Sequence, residues 1–355
     1  MQKKLKKFVK RSSKRNIFLV TGEKSFFNSG CSVLFKELSD FKITKFTDFS
    51  TNPNFSDLQK GLNLFKKNEC DSLIAIGGGS VMDIGKLIAY LSECKIKDIE
   101  SIQEFSKKGI RKIPLMCIPT TAGSGAESTH FSVLYFKDKK YSIANSSMVP
   151  DDTILNPIFS FSTSKYQKAV SGLDALSQGI ESFWAKGSSE ISRSYAKKAI
   201  KLIWNNLYKS VNNNDYESHK KVFEGSVLAG KAINISKTTA PHALSYYFTN
   251  IHNISHGHAV ALTLSKIYHL NREQSLKSEN KKIRQIFFEL DEILGIENDP
   301  ITTIENFISS LDIPTNLSYL NIDILNELNN IKLMVNSERF NNNPFKISID
   351  AIFNQ

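Results

Sequence analysis

The chain reads as an α/β N-terminal domain, a doubly wound parallel sheet, followed by an all-helical C-terminal domain. Three observations predict this. Short buried apolar runs alternate with helical stretches in β-α-β-α-β order over the first part of the chain. Two of those runs end directly in polar, glycine-bearing loops, at 77–80 and 119–127. Past Pro157 strand-like alternation gives way to 3.6-residue periodicity.

The elements follow in order. Residues 1–15 hold eight of the 46 Lys/Arg (Lys3, Lys4, Lys6, Lys7, Lys10, Arg11, Lys14, Arg15) and no acid, and are expected to form a solvated basic leader. Residues 16–20 are the first strand and 24–39 an amphipathic helix. Residues 42–49 alternate as the second strand, and 55–68 are helical, with Phe55, Leu58, Leu62 and Phe65 on one stripe. Residues 72–76 are a buried strand leading into a glycine triplet and a helix to about Cys94, and 113–119 are another buried strand. The stretches 164–186, 190–211, 216–236, 239–249 and 257–270 each read as helix, and the Asn-rich 321–345 as loops. The expected domains are 1–160 and 161–355.

Composition limits what the protein can be. At 355 residues, 41% hydrophobic and 23% charged, the chain suits an ordinary globular protein with two cores. No apolar run approaches the ~18–20 residues of a membrane span, and the basic start lacks the apolar core of a secretory signal. The net charge of +11 is local: outside 1–15, 38 basic residues face 35 acidic ones. Nucleic acid is therefore not an expected partner. Cys31, Cys70, Cys94 and Cys117 show no CxxC spacing, which fits buried, reduced thiols and a cytoplasmic location.

Two loops carry ligand-binding chemistry. In Gly77-Gly78-Gly79-Ser80-Val81-Met82-Asp83, backbone N–H groups at a helix start can approach a phosphate. The stretch is neither a GxGxxG fingerprint nor a P-loop, and a plain packing turn is the other reading. Asp83 either accepts from a ligand hydroxyl or caps its helix. The second loop, Pro119-Thr120-Thr121-Ala122-Gly123-Ser124-Gly125-Ala126-Glu127, presents three hydroxyls (Thr120, Thr121, Ser124) at a strand's carboxyl end, where open α/β sheets bind ligands. Two such loops on neighbouring strand ends favour a dinucleotide spanning both.

Farther along, four of the seven histidines (His242, His252, His256, His258) fall within residues 242–258. Imidazole is the commonest protein ligand for a transition metal, although core or solvated histidines also account for such a cluster. Upstream, Asp174 and Gln178 stand at i and i+4 and share a helix face. A carboxylate from one helix and two imidazoles from others can converge on one ion.

Taken together, the GGGS loop, the PTTAGSGAE loop, the GLDALSQGIES helix and the histidines fourteen residues apart, His242 and His256, resemble the iron-containing (group III) alcohol dehydrogenases. The resemblance covers nearly the whole chain. It implies a dehydroquinate synthase-like fold in which NAD(P)H and a divalent metal meet in a cleft between an α/β and a helical domain. It further implies that Asp174, His242 and His256 are metal ligands, with Fe2+ the family metal and Zn2+ suited to the same donors. The family's fourth ligand, a histidine, is replaced by Gln178, whose amide oxygen is a weaker ligand. A further family histidine is replaced by Tyr246. These departures, with KTTAPHALSY and HGHAVALTL, resemble the phosphonoacetaldehyde reductase branch of phosphonate biosynthesis, whose members reduce phosphonoacetaldehyde to 2-hydroxyethylphosphonate.

The implied site follows by position. Gly78, Gly79, Ser80 and Thr120 would hold the cofactor. The family's acidic position for the adenine ribose falls on Thr47, with Asp48 beside it, so NADH and NADPH both stay open. Lys140 would approach the nicotinamide ribose, or is a solvated loop lysine. Tyr246 or His252 would relay the final proton, although Tyr246 also reads as a core tyrosine. Arg193 and Lys237 are candidates to hold a phosphonate tail, and each also reads as a surface charge. A homodimer is expected. The rivals are a reductase of another small aldehyde or alcohol, and a catalytically silent binding protein.

Overall fold

A computed structural model describes residues 1–36, 38–137 and 139–354. It divides into two compact units, Met1–Thr163 and Ser164–Gln355. In the first unit α1 (Gln2–Val9) precedes β1 (Asn16–Thr21), α2 (Ser25–Asn28), β2 (Lys42–Phe46), α3 (Phe55–Lys67), β3 (Ser72–Gly77), α4 (Gly79–Leu91), α5 (Ile99–Lys108) and β4 (Leu115–Pro119). The hairpin β5 (Phe131–Phe136) and β6 (Lys139–Ala144) follows, then β7 (Asp152–Thr153) and α6 (Ile158–Phe161).

The main sheet is parallel in the order β2-β1-β3-β4-β7. The order reverses between β1 and β3, which places a ligand crevice at the carboxyl ends of those strands. Both faces are covered. Phe18, Val20, Leu73, Ala75, Leu115 and Cys117 pack with α3, α4 and α5. Ile17, Leu19, Ile74, Ile76, Met116 and Ile118 pack on the opposite side. This two-faced burial explains why the strands read as continuous apolar runs rather than alternating ones.

Four expectations are corrected here. Residues 1–15 are not a solvated leader: Leu5, Phe8 and Val9 form the apolar stripe of α1 and are buried against Ile17, Leu19 and Ile154. The lysines lie on the other side of that helix, and Arg11 pairs with Asp152 at 2.9 Å. Residues 24–39 do not form one helix, because Gly30 at φ +74° separates α2 from a 3-10 turn at Cys31–Phe35. The second strand stops at Phe46, where its pairing with Val20 ends. The Asn-rich segment is not only loop, since it contains two helices of the second unit.

The second unit is helical throughout its regular structure: α7 (Lys165–Trp184), α8 (Glu190–Asn212), α9 (Tyr216–Ser236), α10 (Ala240–Ile251), α11 (His256–Lys277), α12 (Lys281–Leu294), α13 (Pro300–Ser309), α14 (Ile324–Met334), α15 (Ser337–Asn341) and α16 (Ile349–Phe353). Helix α7 is buried along almost its whole length, with α8, α9 and α11 packed around it. Asparagines serve as connectors. Asn271 and Asn343 exchange two buried amide bonds of 3.1 and 2.7 Å, and Asn342 donates to the carbonyls of Ser236 and Thr238. No helix among the described residues is long and apolar enough to cross a membrane.

The role of α1 is testable. Phe8 is fully buried, so Phe8→Ala is expected to cost about 3–5 kcal/mol in denaturant unfolding. A change below about 0.5 kcal/mol would return the segment to solvent.

Candidate functional site

In the first unit the two predicted loops pack on one another. A Cβ on Gly78 would lie 3.2 Å from the Thr121 side chain, and one on Gly79 the same distance from Ser124. The backbone N–H of Thr120 donates to the Gly77 carbonyl at 2.9 Å. Gly78 is the N-cap of α4, so the helix start faces a loop of hydroxyls at the strand ends. Ser80 donates its hydroxyl to the Thr51 carbonyl. Asp48 is exposed and pairs with Lys60 at 3.0 Å.

Asp83 is part of a mostly buried polar group. Burial pushes its carboxyl up to about 6, against the pull of Lys86, the Val133 N–H and Lys140. Lys86, fully buried, donates to the Thr129 carbonyl and hydroxyl and to the Phe131 carbonyl at 3.0, 2.9 and 2.7 Å. Burial lowers its pKa, with Asp83 opposing. Lys86 thereby ties α4 to the chain between the hydroxyl loop and the hairpin. Lys140 stands on β6, 6.0 Å from the Tyr135 ring centre.

In the second unit three helices bring together Asp174 (α7), His242 (α10) and His256, the first residue of α11. Their ligand atoms lie within 4.8 Å of one another. Nε2 of His242 is 3.1 Å from Oδ1 of Asp174, and the two imidazole centres are 5.4 Å apart. Gln178, one turn beyond Asp174 and buried, hydrogen-bonds that carboxylate. Burial works against charge on Asp174, yet the two histidines and Gln178 hold its carboxyl below the ordinary value. A carboxylate and two imidazoles in this arrangement suit a divalent transition ion.

Sequence reasoning missed the residue behind this cluster. Glu181 is fully buried; Oε1 bonds Nδ1 of His242, and Oε2 accepts from the N–H and hydroxyl of Thr239 at 2.6 and 3.0 Å. This contact directs Nε2 of His242 toward Asp174, the usual task of an outer carboxylate at a metal site. Burial alone would lower the His242 pKa, but Glu181 and Asp174 outweigh it and raise it to about 9. The sequence signals were its place in the GLDALSQGIES motif and its position, since Glu181 follows Asp174 by seven residues on the same helix face.

The remaining candidates divide. Tyr246, one turn after His242, is buried and stacks on His256 with centres 6.4 Å apart. Burial raises its phenol, and a hydrogen bond from Arg339 opposes that. His252 is placed elsewhere, paired with Glu327 at 2.7 Å, and His258 is a core histidine bonded to the Pro314 carbonyl. Lys237 is paired with Glu338, and Arg193 lies on α8 where its charge acts on Glu289. Neither is brought to the Asp174 cluster.

Residues 2–157 match the sequence model of the iron-containing alcohol dehydrogenases, and residues 168–354 that of the C-terminal part of the Fe-containing alcohol dehydrogenase family. The crystal structure of sulfoacetaldehyde reductase from Bifidobacterium kashiwanohense with NAD+ is 31% identical, with TM-score 0.83 over 95% of this chain and 88% of that one. An iron-containing alcohol dehydrogenase of Thermotoga maritima is 26% identical, with TM-score 0.80 over 96% and 90%. Aldehyde-alcohol dehydrogenase 2 of Entamoeba histolytica is 30% identical over 78% of this chain. The chain spans 34% of that relative's length and 28% of the Streptococcus pneumoniae aldehyde-alcohol dehydrogenase.

Two substitutions test the cluster. Glu181→Gln is expected to weaken divalent-metal affinity about 10- to 100-fold in chelator competition; unchanged affinity would reduce Glu181 to a packing residue. Gly257 adjoins His256, and a Cβ there would fall 1.9 Å from the Val170 carbonyl oxygen and 3.0 Å from Cβ of Asp174. Gly257→Ala must therefore displace α11 from α7, with an expected loss of about 1–3 kcal/mol and of metal retention together.

Proposed function

The chain belongs to the iron-containing alcohol dehydrogenase family, and from that premise we propose that it reduces a small aldehyde to its primary alcohol in an NAD(H)-linked, metal-dependent reaction. The observation that carries this is the convergence of Asp174, His242 and His256 with Glu181 behind His242. The finer reading is reduction of phosphonoacetaldehyde to 2-hydroxyethylphosphonate. Its support is the likeness of the DALSQGIES, KTTAPHALSY and HGHAVALTL segments to that branch. The sulfoacetaldehyde reductase likeness points the same way, because sulfoacetaldehyde is also a two-carbon aldehyde with an oxyanion tail.

When bound, a divalent cation supplies Lewis-acid polarisation of a carbonyl oxygen, and reduced nicotinamide supplies the hydride. The protein's part is to hold and orient. Asp174, His242 and His256 would hold the ion, with Gln178 completing its surroundings. The N–H groups of Gly78 and Gly79 at the start of α4, with Ser80, Thr120, Thr121 and Ser124, would receive the pyrophosphate. Asp83 and Lys140 would meet the ribose nearer the nicotinamide. Asp48 would disfavour a 2′-phosphate while its partner Lys60 would favour one, which keeps NADPH as a second cofactor. Tyr246, held protonated by burial, would give the proton that completes the alcohol. Iron is the family metal, and zinc suits the same donors. A cytoplasmic homodimer fits this reading.

The test follows NADH and NADPH oxidation with phosphonoacetaldehyde, sulfoacetaldehyde and propanal on protein stripped of metal and reloaded anaerobically with Fe(II) or Zn(II). Metal-dependent turnover at least tenfold better with phosphonoacetaldehyde than with propanal is expected. Equal turnover would leave a general small-aldehyde reductase. Cofactor and metal binding without turnover on any aldehyde would favour a silent binding protein.

A further inference from the structure

The connection between α9 and α10 is only Lys237, Thr238 and Thr239, and it leads straight into the helix that carries His242. Its first residue is under backbone strain. Lys237 has φ +61° and ψ 178°, a combination that glycine alone adopts at ease, because a Cβ crowds the neighbouring backbone there. Such a residue persists only where its surroundings hold it, and here the holder is specific. The side-chain amide of Asn342, just past α15, donates to the Ser236 carbonyl at 2.8 Å and to the Thr238 carbonyl at 3.0 Å. It thereby grips the chain on both sides of Lys237. The amide oxygen accepts from the Gly187 N–H at 3.0 Å, and the Asn342 carbonyl accepts from the Lys186 N–H at 3.0 Å. Two carbonyls and one N–H as partners leave a single orientation for the amide. The segments meet closely: a Cβ on Gly187 would lie 2.8 Å from the Ser236 carbonyl oxygen. Lys237 itself pairs with Glu338 of α15.

Resting on the metal-dependent reading above, we propose that Asn342 is a positioning residue for the candidate metal cluster, holding the strained turn at Lys237 so that Thr239 meets Glu181. The route is short. Glu181 accepts from the N–H and hydroxyl of Thr239 with one oxygen and bonds Nδ1 of His242 with the other. When the turn relaxes, the Thr239 N–H moves and Glu181 loses its fixed oxygen. Nε2 of His242 is then no longer aimed at Asp174. Asn342 also joins the two helices that matter most. Lys186 and Gly187 follow the end of α7, which bears Asp174 and Glu181, and the gripped carbonyls precede α10, which bears His242. These bonds of Asn342 all go to backbone, so its effect on the cluster runs through the turn.

The test measures Zn(II) affinity of the full chain by competition with a chromogenic chelator. The proteins are wild type, Asn342→Ala, and Asn342→Ala combined with either Lys237→Gly or Lys237→Ala. Asn342→Ala is expected to weaken Zn(II) binding about tenfold, the lower end for outer partners of a metal-binding imidazole. Adding Lys237→Gly should recover most of that loss, because glycine takes the turn without strain. Adding Lys237→Ala, which removes the same pair with Glu338 but keeps a Cβ, should recover none. Unchanged affinity in Asn342→Ala overturns the proposal and leaves the metal site standing. So does equal recovery, or none, in the two double variants. A wild type that binds no Zn(II) overturns the metal reading and the proposal together. If Asn342→Ala does not fold, the single Lys237 variants decide. Lys237→Gly should bind Zn(II) like wild type and unfold at a higher temperature than Lys237→Ala, and an equal or lower midpoint overturns the proposal.

Discussion

The helical unit depends on one buried carboxylate. Glu181 uses one oxygen to hold the imidazole of His242 and the other to hold the backbone and hydroxyl of Thr239. Thr239 is where α10 begins, and its hydroxyl also receives the indole N–H of Trp184 at 3.0 Å. The same contact therefore decides where the helix starts and how its histidine points. A charge buried this deeply is stable only when its partners are complete, since several kcal/mol of lost hydration must be recovered in charge-assisted bonds. The site's geometry and the unit's integrity thus share one set of bonds.

The first unit solves a different problem, that of leaving room for backbone to approach a ligand. Strand order reverses between β1 and β3, and β3 delivers its glycines at that crevice. Both Gly78 and Gly79 abut the hydroxyl loop so closely that a side chain would crowd it. Lys86 secures the arrangement from below by taking three acceptors after that loop. Its charge, which burial disfavours, is sustained by Asp83 beside it.

Much of this was legible from residues alone, for physical reasons. The long helices α7 to α9 declared themselves because twenty or more residues of steady periodicity leave little ambiguity. The parallel strands did so because both faces are buried. Helix α1 was hidden by its charge: the lysines dominate a segment whose Leu5, Phe8 and Val9 are spaced to dock. The β5–β6 hairpin gives only a weak signal, because the positions that β5 buries, Ser132 and Leu134, include a polar residue. Asp174, His242 and His256 could be picked out because the motif resemblance named them. Arg339 could not, because it meets Thr238 across 101 residues, from a stretch whose asparagines read as filler. Contacts of that range leave no trace in spacing.

The four thiols bear on how this molecule ages. Cys31, Cys70 and Cys117 are buried and Cys94 half-buried. Burial pushes Cys31 up to about 11 and Cys117 to about 12, and raises the other two as well. Thiolate, the form that reacts with peroxide, is scarce at neutral pH in such surroundings. Air should therefore spare the cysteines. If the Asp174 cluster holds an ion as proposed, storage losses would fall on that ion, and fresh metal rather than a thiol reductant would be the remedy.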